Sequence, residues 1–380
     1  MILHLLDDDK FADYAIEQFS SISQEQNKFI VFVPDRKDKI INIINHNQIE
    51  PIACRSNEFS VLCRNLGDYK AIITHNLFTP EKEQIIASAP EQVKTAWVFW
   101  GGELYSRREF IGKYLGKQTT LLHLQYRFKQ TIKRILFPVL KGKKYLPSFE
   151  PSKEIFKKLD YCLSDINEDF EMAGKLFKSK FKHLWYNYYS IEETVGSLWN
   201  ATITGNNILL GNSATLTNNH LEAFQLIKKL ELKGRKIITP LSYGDKPYLN
   251  TFLHFGRKQL GEHFEPLLDF MEREEYNRKL LSCSIVIMNH YRPQALGNII
   301  TTLWLGAKVY LSERNLIYSY LKRLGVHIYS VEADLKPSNK LALEPLHPDK
   351  VAANRAVLLA EYGKETVLNR VRELVNTLNN

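Results

Sequence analysis

The chain has 380 residues, of which 44% are hydrophobic and 24% charged, with a net charge of +9. That apolar content is enough for two folded domains and too high for a largely disordered chain, and no run approaches the ~18 apolar residues of a membrane-spanning helix. Cys54, Cys63, Cys162 and Cys283 form no CxxC pair, and the opening MILHLLDDDK has neither a basic leader nor a small-residue cleavage site. The sequence therefore predicts a soluble, reduced, cytoplasmic protein without a signal peptide.

Short apolar runs alternate with amphipathic stretches, the pattern of α/β units around parallel sheets. The predicted strands of the first half are Ile2–Leu6, Phe29–Val33, Ala71–Thr74, Ala96–Trp100, Tyr161–Ser164 and His183–Tyr186. A helix over Ala12–Ile22 places Ala12, Ala15, Ile16, Phe19 and Ile22 on one face. Asp7-Asp8-Asp9 is similar to acidic triplets that hold a divalent metal on nucleoside diphosphates. Its position between a strand and a helix favours helix capping instead, and no metal site is assigned. His75 and Trp100-Gly101-Gly102-Glu103 each follow a strand, at the edge where α/β sites lie. By spacing alone Glu103 is a first-turn helix acid or a site carboxylate, and His75 a structural or a catalytic histidine.

The basic excess is local. Residues 107–158 carry fourteen Lys and Arg against three acids, a net +11, which leaves the rest of the chain at −2. Its cations, Arg127, Lys129, Lys133 and Arg134 among them, are interleaved with Tyr114, Leu121, Leu122, Tyr126, Phe128 and Ile132. That mixture suits an interfacial membrane surface with anionic headgroups. A solvated amphipathic helix and nucleic-acid binding are the alternatives.

Ser190–Gly205 is polar, holds two glycines and reads as a linker. The alternation then restarts with strands at Asn207–Leu210, Arg235–Pro240, Ser284–Met288 and Lys308–Leu311. Helices are predicted at Asn218–Leu230, Tyr248–Lys258, Arg273–Leu281, Ile299–Leu305 and Leu316–Leu324, and helical periodicity runs through Ala352–Leu378. Two successive open α/β units suggest a two-lobed enzyme with its site in the cleft. Two strand–polar loop–helix segments stand out in the second half, Gly211–His220 and His290–Asn298. Both place backbone amides, hydroxyls and carboxamides where an anion is held, although neither is a GxGxxG or GxxxxGKS motif.

Taken together these motifs resemble those of glycosyltransferase family 56, the lipid-linked 4-acetamido-4,6-dideoxy-galactose (Fuc4NAc) transferases of enterobacterial common antigen synthesis. The family pattern W-G-[AG]-[DE]-L-Y is similar to Trp100–Tyr105, and G-N-S-x-x-x-[ST]-N-x-H to Gly211–His220, continued by Glu222–Phe224. Pro240, Ser242-Tyr243-Gly244, Leu268–Tyr276, Arg292–Gly297, and His75 with Phe78 extend the resemblance to about Val331. Pro293 replaces a family Gln, Glu103 stands where Asp is frequent, and residues 113–158 are longer and more basic here.

The resemblance implies a GT-B architecture, two Rossmann-like lobes facing a central cleft. It divides the chain into an acceptor lobe at 1–195 with a basic membrane-facing segment at 107–158, a nucleotide-sugar lobe at 205–345, and a C-terminal helix at 346–380 returning to the first lobe. It implies a nucleotide-sugar donor, in particular a dTDP-linked deoxyamino sugar, and a polyprenyl-diphosphate-linked glycan acceptor. It also implies a peripheral location on the inner face of the bacterial inner membrane, and no nucleic acid, metal or cofactor. Asn212, Ser213 and Thr215 are the expected phosphate contacts and Tyr243 the expected base or ribose contact. Arg292, Gln294 and the helix start at Gly297-Asn298 are expected to offset charge on the leaving diphosphate. Glu103 is the first choice for a general base and His75 the second. A sugar-nucleotide epimerase with no lipid acceptor is the nearest alternative.

Overall fold

Strands buried on both faces read as continuous apolar runs, and β1 (Ile2–Leu6), with every residue buried, is the first. A computed structural model describes residues 1–34, 40–54, 56–107, 109–136 and 149–380; the side chains of 24 and 129–136 lie outside the described set. Around β1 stand β2 (Asn27–Val33), β3 (Ile49–Ala53), β4 (Ala71–Thr74), β5 (Lys94–Val98), β6 (Tyr161–Leu163) and β7 (Lys182–Leu184). Among the described residues they make a seven-stranded sheet in the order β3-β2-β1-β4-β5-β6-β7, parallel throughout. A second sheet has β8 (Asn207–Leu210), β9 (Ile237–Pro240), β10 (Phe264–Leu267), β11 (Cys283–Met288), β12 (Lys308–Leu311) and β13 (Tyr329–Ser330). It runs β10-β9-β8-β11-β12-β13, again all parallel.

The two orders share one logic. Each chain path starts at a central strand, winds outward, then returns to the other side of that strand. The reversal falls between β1 and β4 in one sheet and between β8 and β11 in the other. Ligands of open α/β sheets bind outside the carboxyl ends of strands at such a switch point. Asp7–Asp9 and His75–Phe78 follow β1 and β4, while Gly211–His220 and His290–Asn298 follow β8 and β11.

The chain divides into two compact units whose bounds differ from the sequence expectation. The first comprises Met1–Arg107, the described residues from 149 to Ser190, and Glu361–Asn380; the second comprises 109–136 and Ile191–Ala360. The supposed linker is structured: Ile191, Val195 and Leu198 are buried, and Trp199 stacks on Trp304 at 4.2 Å. The C-terminal periodicity resolves into two helices, Pro348–Tyr362 and Lys364–Asn379, separated at Gly363, whose ψ of 146° is extended. The latter helix belongs to the first unit. Val367, Val371, Leu374, Val375 and Leu378 join Ile2, Leu6, Ala15, Ile16 and Phe19 in its core.

The basic segment is attached to the second unit and not to the first. Its helix, Lys117–Leu136, begins against the helix His220–Ile227. The Glu222 carboxylate accepts the N–H groups of Gln118 (2.8 Å) and Thr119 (3.1 Å) and the Thr119 hydroxyl (2.6 Å). An acid at a helix start satisfies orphan amides and meets the positive end of the dipole. Beside it Asn219 Oδ1 accepts the Gly116 N–H at 2.8 Å, and Asn219 Nδ2 donates to the Tyr114 carbonyl at 3.2 Å. A Cβ at Gly116 would fall 2.2 Å from Glu222 Cδ, so glycine is needed for this approach. Leu122 and Tyr126 pack on the core of this unit, and Leu121, Leu124 and Phe128 are exposed at 61%, 53% and 68%. Arg127 is also exposed, while the side chains of Lys129, Lys133 and Arg134 lie outside the described residues.

Replacing Glu222 by Ala removes the acceptor of three hydrogen bonds at one helix start, a loss of about 1–2 kcal/mol. Faster amide hydrogen exchange confined to 117–128 is the expected result. Unchanged exchange there would show that the cap contributes nothing.

Candidate functional site

In the second unit the loop after β8 is built around one carboxamide. Asn218, 1% exposed, accepts on Oδ1 the Asn212 N–H (3.0 Å) and a hydrogen bond from His290 Nε2 (2.7 Å). Its Nδ2 donates to Ser213 Oγ (3.2 Å) and Thr215 Oγ1 (2.8 Å). Burial lowers the His290 pKa to about 3, so the ring is neutral and Nε2 carries its proton. Gly211 adopts φ 66°, and a Cβ there would lie 2.6 Å from Asn218 Oδ1. His220 ends the loop buried against the Phe252 ring, 5.0 Å between centroids, and burial lowers its pKa to about 3.

The loop after β11 is tied to this one by Gln294. Gln294 Nε2 donates to Asn212 Oδ1 (3.0 Å) and Thr215 Oγ1 (3.3 Å), while its Oε1 accepts from the Thr217 hydroxyl (2.6 Å). A third loop, after β9, joins them. Asn212 Nδ2 donates to the Tyr243 hydroxyl (3.1 Å), and the Ala214 N–H to the Tyr243 carbonyl (2.7 Å). Gly244, at φ 121°, leaves no room for a side chain: its Cβ would stand 2.8 Å from the Ala214 carbonyl carbon.

Beside these loops lies a cavity of about 320 Å³, lined by Asn212, Pro240, Ser242, Tyr243, Leu267, Asp269, Phe270, Met271, Arg273, Tyr276 and Asn298. Of the eight donor-site residues expected from sequence, Asn212, Tyr243 and Asn298 line the cavity, and Thr215 and Gln294 belong to the network at its edge. Ser213 is placed differently. It is 1% exposed, and its hydroxyl bonds Thr215 and Asn218 inside the loop, so it shapes the turn. Gly297 opens the helix Leu296–Leu305, and a Cβ on it would meet only Thr194, at 3.9 Å. Arg292 donates from Nη1 to the Pro293 carbonyl at 3.0 Å and does not line the cavity. The wall from Asp269 to Tyr276 follows β10, which sequence reading did not find as a strand; the aromatic and charged run Phe270-Met271-Glu272-Arg273 was the available signal.

In the first unit the switch point holds a buried charge cluster. Lys82 is fully buried and reaches Asp7 Oδ2 at 2.8 Å and Asn76 Oδ1 at 2.9 Å, while Asn76 Nδ2 donates to the same Asp7 oxygen at 2.6 Å. The Asp triplet is thus divided in its work. Asp7 pairs with Lys82, Asp8 accepts the N–H groups of Ile41, Asn42 and Ile43, and Asp9 accepts the Phe11 N–H at the helix start.

Both residues expected to act as base are interior. Glu103 is 2% exposed, and its Oε1 accepts the Leu77 N–H (3.1 Å) and the Trp97 indole N–H (3.2 Å). Burial pushes its pKa up to about 7. His75 is also 2% exposed, with Nδ1 at 2.9 Å from the Tyr188 hydroxyl and Nε2 at 3.1 Å from His4 Nδ1. Burial holds its pKa well below the ordinary histidine value. Both side chains are buried beneath the loops that follow β4 and β5, and Glu103 Oε2 has no hydrogen-bond partner among the described residues.

Residues 169–341 match the family described as 4-alpha-L-fucosyltransferase, glycosyl transferase group 56. The whole chain is also similar in fold to solved glycosyltransferases at low identity. A glycosyltransferase from Rickettsia africae superposes with a TM-score of 0.60 at 11% identity, covering 99% of this chain and 98% of that one. Sucrose-phosphate synthase from Thermosynechococcus elongatus gives the same values. Anabaena HepE, solved with UDP and glucose, gives 0.60 and 11% over 99% of both chains. The protein is a glycosyltransferase, and its two Rossmann-like units are those of the GT-B class.

The raised pKa of Glu103 fixes a sign for the transferase's stability. Folding favours the neutral carboxyl, so the stability it allows is full below about pH 4.5 and is lost as the pH rises towards 7. Glu103→Gln keeps the acceptor oxygen and removes the charge. The variant should match its parent in thermal unfolding at pH 4.5 and exceed it at pH 8, by up to about 3 kcal/mol; a parallel pair of curves would contradict this.

Proposed function

We propose that this glycosyltransferase moves a deoxyamino sugar from a nucleoside diphosphate, a dTDP-Fuc4NAc-like donor, to a polyprenyl-diphosphate-linked glycan in cell-surface polysaccharide synthesis, working at an anionic membrane surface. The observation that carries the reading is the pairing of the apolar cavity at the β9 and β10 ends with the Asn212–Gln294 network. A flat base needs apolar walls and a few fixed polar groups, whereas a diphosphate needs amides, hydroxyls and positive charge. The two demands are met side by side in one unit. The match of residues 169–341 to the fucosyltransferase group supports a deoxysugar donor, and the UDP complex of HepE supports a nucleotide at a fold of this kind.

In this reading Leu267, Phe270, Met271 and Tyr276 enclose the base, with Tyr243 beside it. Asn212 and Thr215, held in position by Asn218 and Gln294, contact the diphosphate oxygens. When the sugar carbon leaves the diphosphate, negative charge grows on the departing oxygen. The first-turn amides of the Leu296–Leu305 helix and the Arg292 guanidinium offset that charge, and because they are positioned beforehand they need little reorganisation.

A thermal-shift panel of dTDP-, UDP- and GDP-sugars tests the donor. Stabilisation by at least one of them, largest with dTDP-sugars, is expected. Arg292→Ala should retain the shift yet lose about 10²–10³-fold in turnover. Absence of any shift in the parent protein would overturn the donor assignment.

Membrane association is supported by the Lys117–Leu136 helix, where Leu121, Leu124 and Phe128 stay exposed beside Arg127. Rings and leucines enter the headgroup boundary while cations meet anionic lipid. No helix among the described residues is long and apolar enough to cross a membrane. Sedimentation with phosphatidylglycerol vesicles should capture the protein at low salt and release it at high salt, and Leu124→Glu should weaken capture at both. Equal pelleting with neutral phosphatidylcholine would contradict it.

A further inference from the structure

At the amino end of the second sheet, the edge opposite the donor cavity, one arginine is enclosed without an acid. Arg235 stands just before β9, whose last residue, Pro240, lines the donor cavity. At the rise of a strand the two residues are about 17 Å apart. Arg235 is 8% exposed, and its backbone is held on both sides. The N–H donates to the Leu232 carbonyl (3.0 Å), and the carbonyl oxygen lies 2.8 Å from His263 Nδ1. The guanidinium makes one hydrogen bond among the described residues, from Nη2 to the Leu343 carbonyl at 3.0 Å, while Nε is buried without a partner. Leu343 belongs to a fixed wall, because the Leu341 carbonyl accepts from Lys308 Nζ (2.5 Å) and the Ala342 carbonyl from the Tyr310 hydroxyl (2.6 Å). Arg235 and this wall line a cavity of about 400 Å³, together with Lys229, Lys233, Lys340, Glu231 and Glu344. The lining thus holds four cations against two carboxylates. The three lysines and both acids are exposed, and neither acid pairs with Arg235 among the described residues.

We propose that this cavity binds a small phosphate monoester, at a site separate from the donor cavity. Holding the Leu343 carbonyl needs an N–H donor and no charge, so the charge of Arg235 is desolvated with no opposite charge beside it. A buried ion left uncompensated is costly, and an anion in the cavity supplies the compensation. The guanidinium offers phosphate oxygens a planar fork fixed in place, and the lysines add point charges on longer, adaptable stems. Four cations supply more N–H donors than the two oxygens of a carboxylate can use, whereas a phosphate monoester is a dianion with three terminal oxygens. The volume lies in the range of small-ligand pockets and leaves room for an organic group on the phosphate. No aromatic ring lines the cavity among the described residues, so a nucleoside base has nothing to stack on. The same phosphate chemistry is carried by a soluble ester and by a lipid headgroup.

Isothermal titration of the full chain with glycerol 3-phosphate and with glucose 6-phosphate should show binding of at least one at a single site. Arg235→Met keeps the buried stem and removes the charge, and should weaken that binding about 10–100-fold. Because this change also releases the Leu343 carbonyl, a second variant joins Lys233→Ala to Lys340→Ala on the exposed side. It should weaken binding about 3–10-fold and unfold at the parent's temperature. Hydrogen exchange with the bound ester should slow at 229–236 and 337–344 and stay unchanged at 212–220 and 267–276. Vesicles of phosphatidic acid in phosphatidylcholine then identify the source. Displacement of the soluble ester by them points to a lipid headgroup and its retention to a free ester, and either supports the site. No binding of either ester at millimolar concentration, equal affinity in the double lysine variant, or protection at the donor loops instead would each overturn the proposal.

Discussion

One carboxamide organises the second unit. Asn218 faces Asn212, Ser213, Thr215 and His290 at once, and it can do so because Gly211 presents no Cβ to its Oδ1. A buried polar group left unmatched costs more than a matched one returns, so the whole loop has to close around it. Once closed, it sets Asn212 and Thr215 at the heights from which Gln294 can hold them. The position of the phosphate-facing groups is therefore decided by hydrogen bonds that no ligand touches.

The first unit handles polarity differently. Its switch point encloses a lysine, which burial drives towards its neutral form and Asp7 holds charged. Glu103, close to the same lysine, is driven towards neutrality. These groups brace the loops after β1, β4 and β5 from below. Interior charge acts here as scaffold.

The motif Gly211–His220 also reaches beyond the phosphate loop. Asn219 and Glu222, adjacent to the loop in sequence, hold the start of the basic helix through the Tyr114–Gly116 backbone and the amides of Gln118 and Thr119. Loop conformation and helix placement are consequently set by neighbouring residues of a single turn. This explains why the basic segment groups with the second unit, although it lies in sequence between β5 and β6 of the first sheet.

By itself the sequence determined the α/β class, the central strands and the loops that matter, because fully buried strands must be continuous apolar runs and polar loops must interrupt them. β1, β4, β8 and β12 have the ends read from the pattern, and the loops after β8 and β11 stand where expected. It missed β3, β10 and β13, which are edge strands: Ile49–Ala53 and Phe264–Leu267 each contain a Glu and a Pro, tolerable only where one side of the strand is unpaired. Leu268–Tyr276 stood out by resemblance, but without β10 before it nothing in the pattern marked this stretch as the wall of a cavity. Only the tertiary structure decided that Glu103, His75 and Ser213 are interior and that the basic helix belongs to the second unit. Burial and adjacency depend on which strands become neighbours, and local spacing along the chain carries no record of that choice.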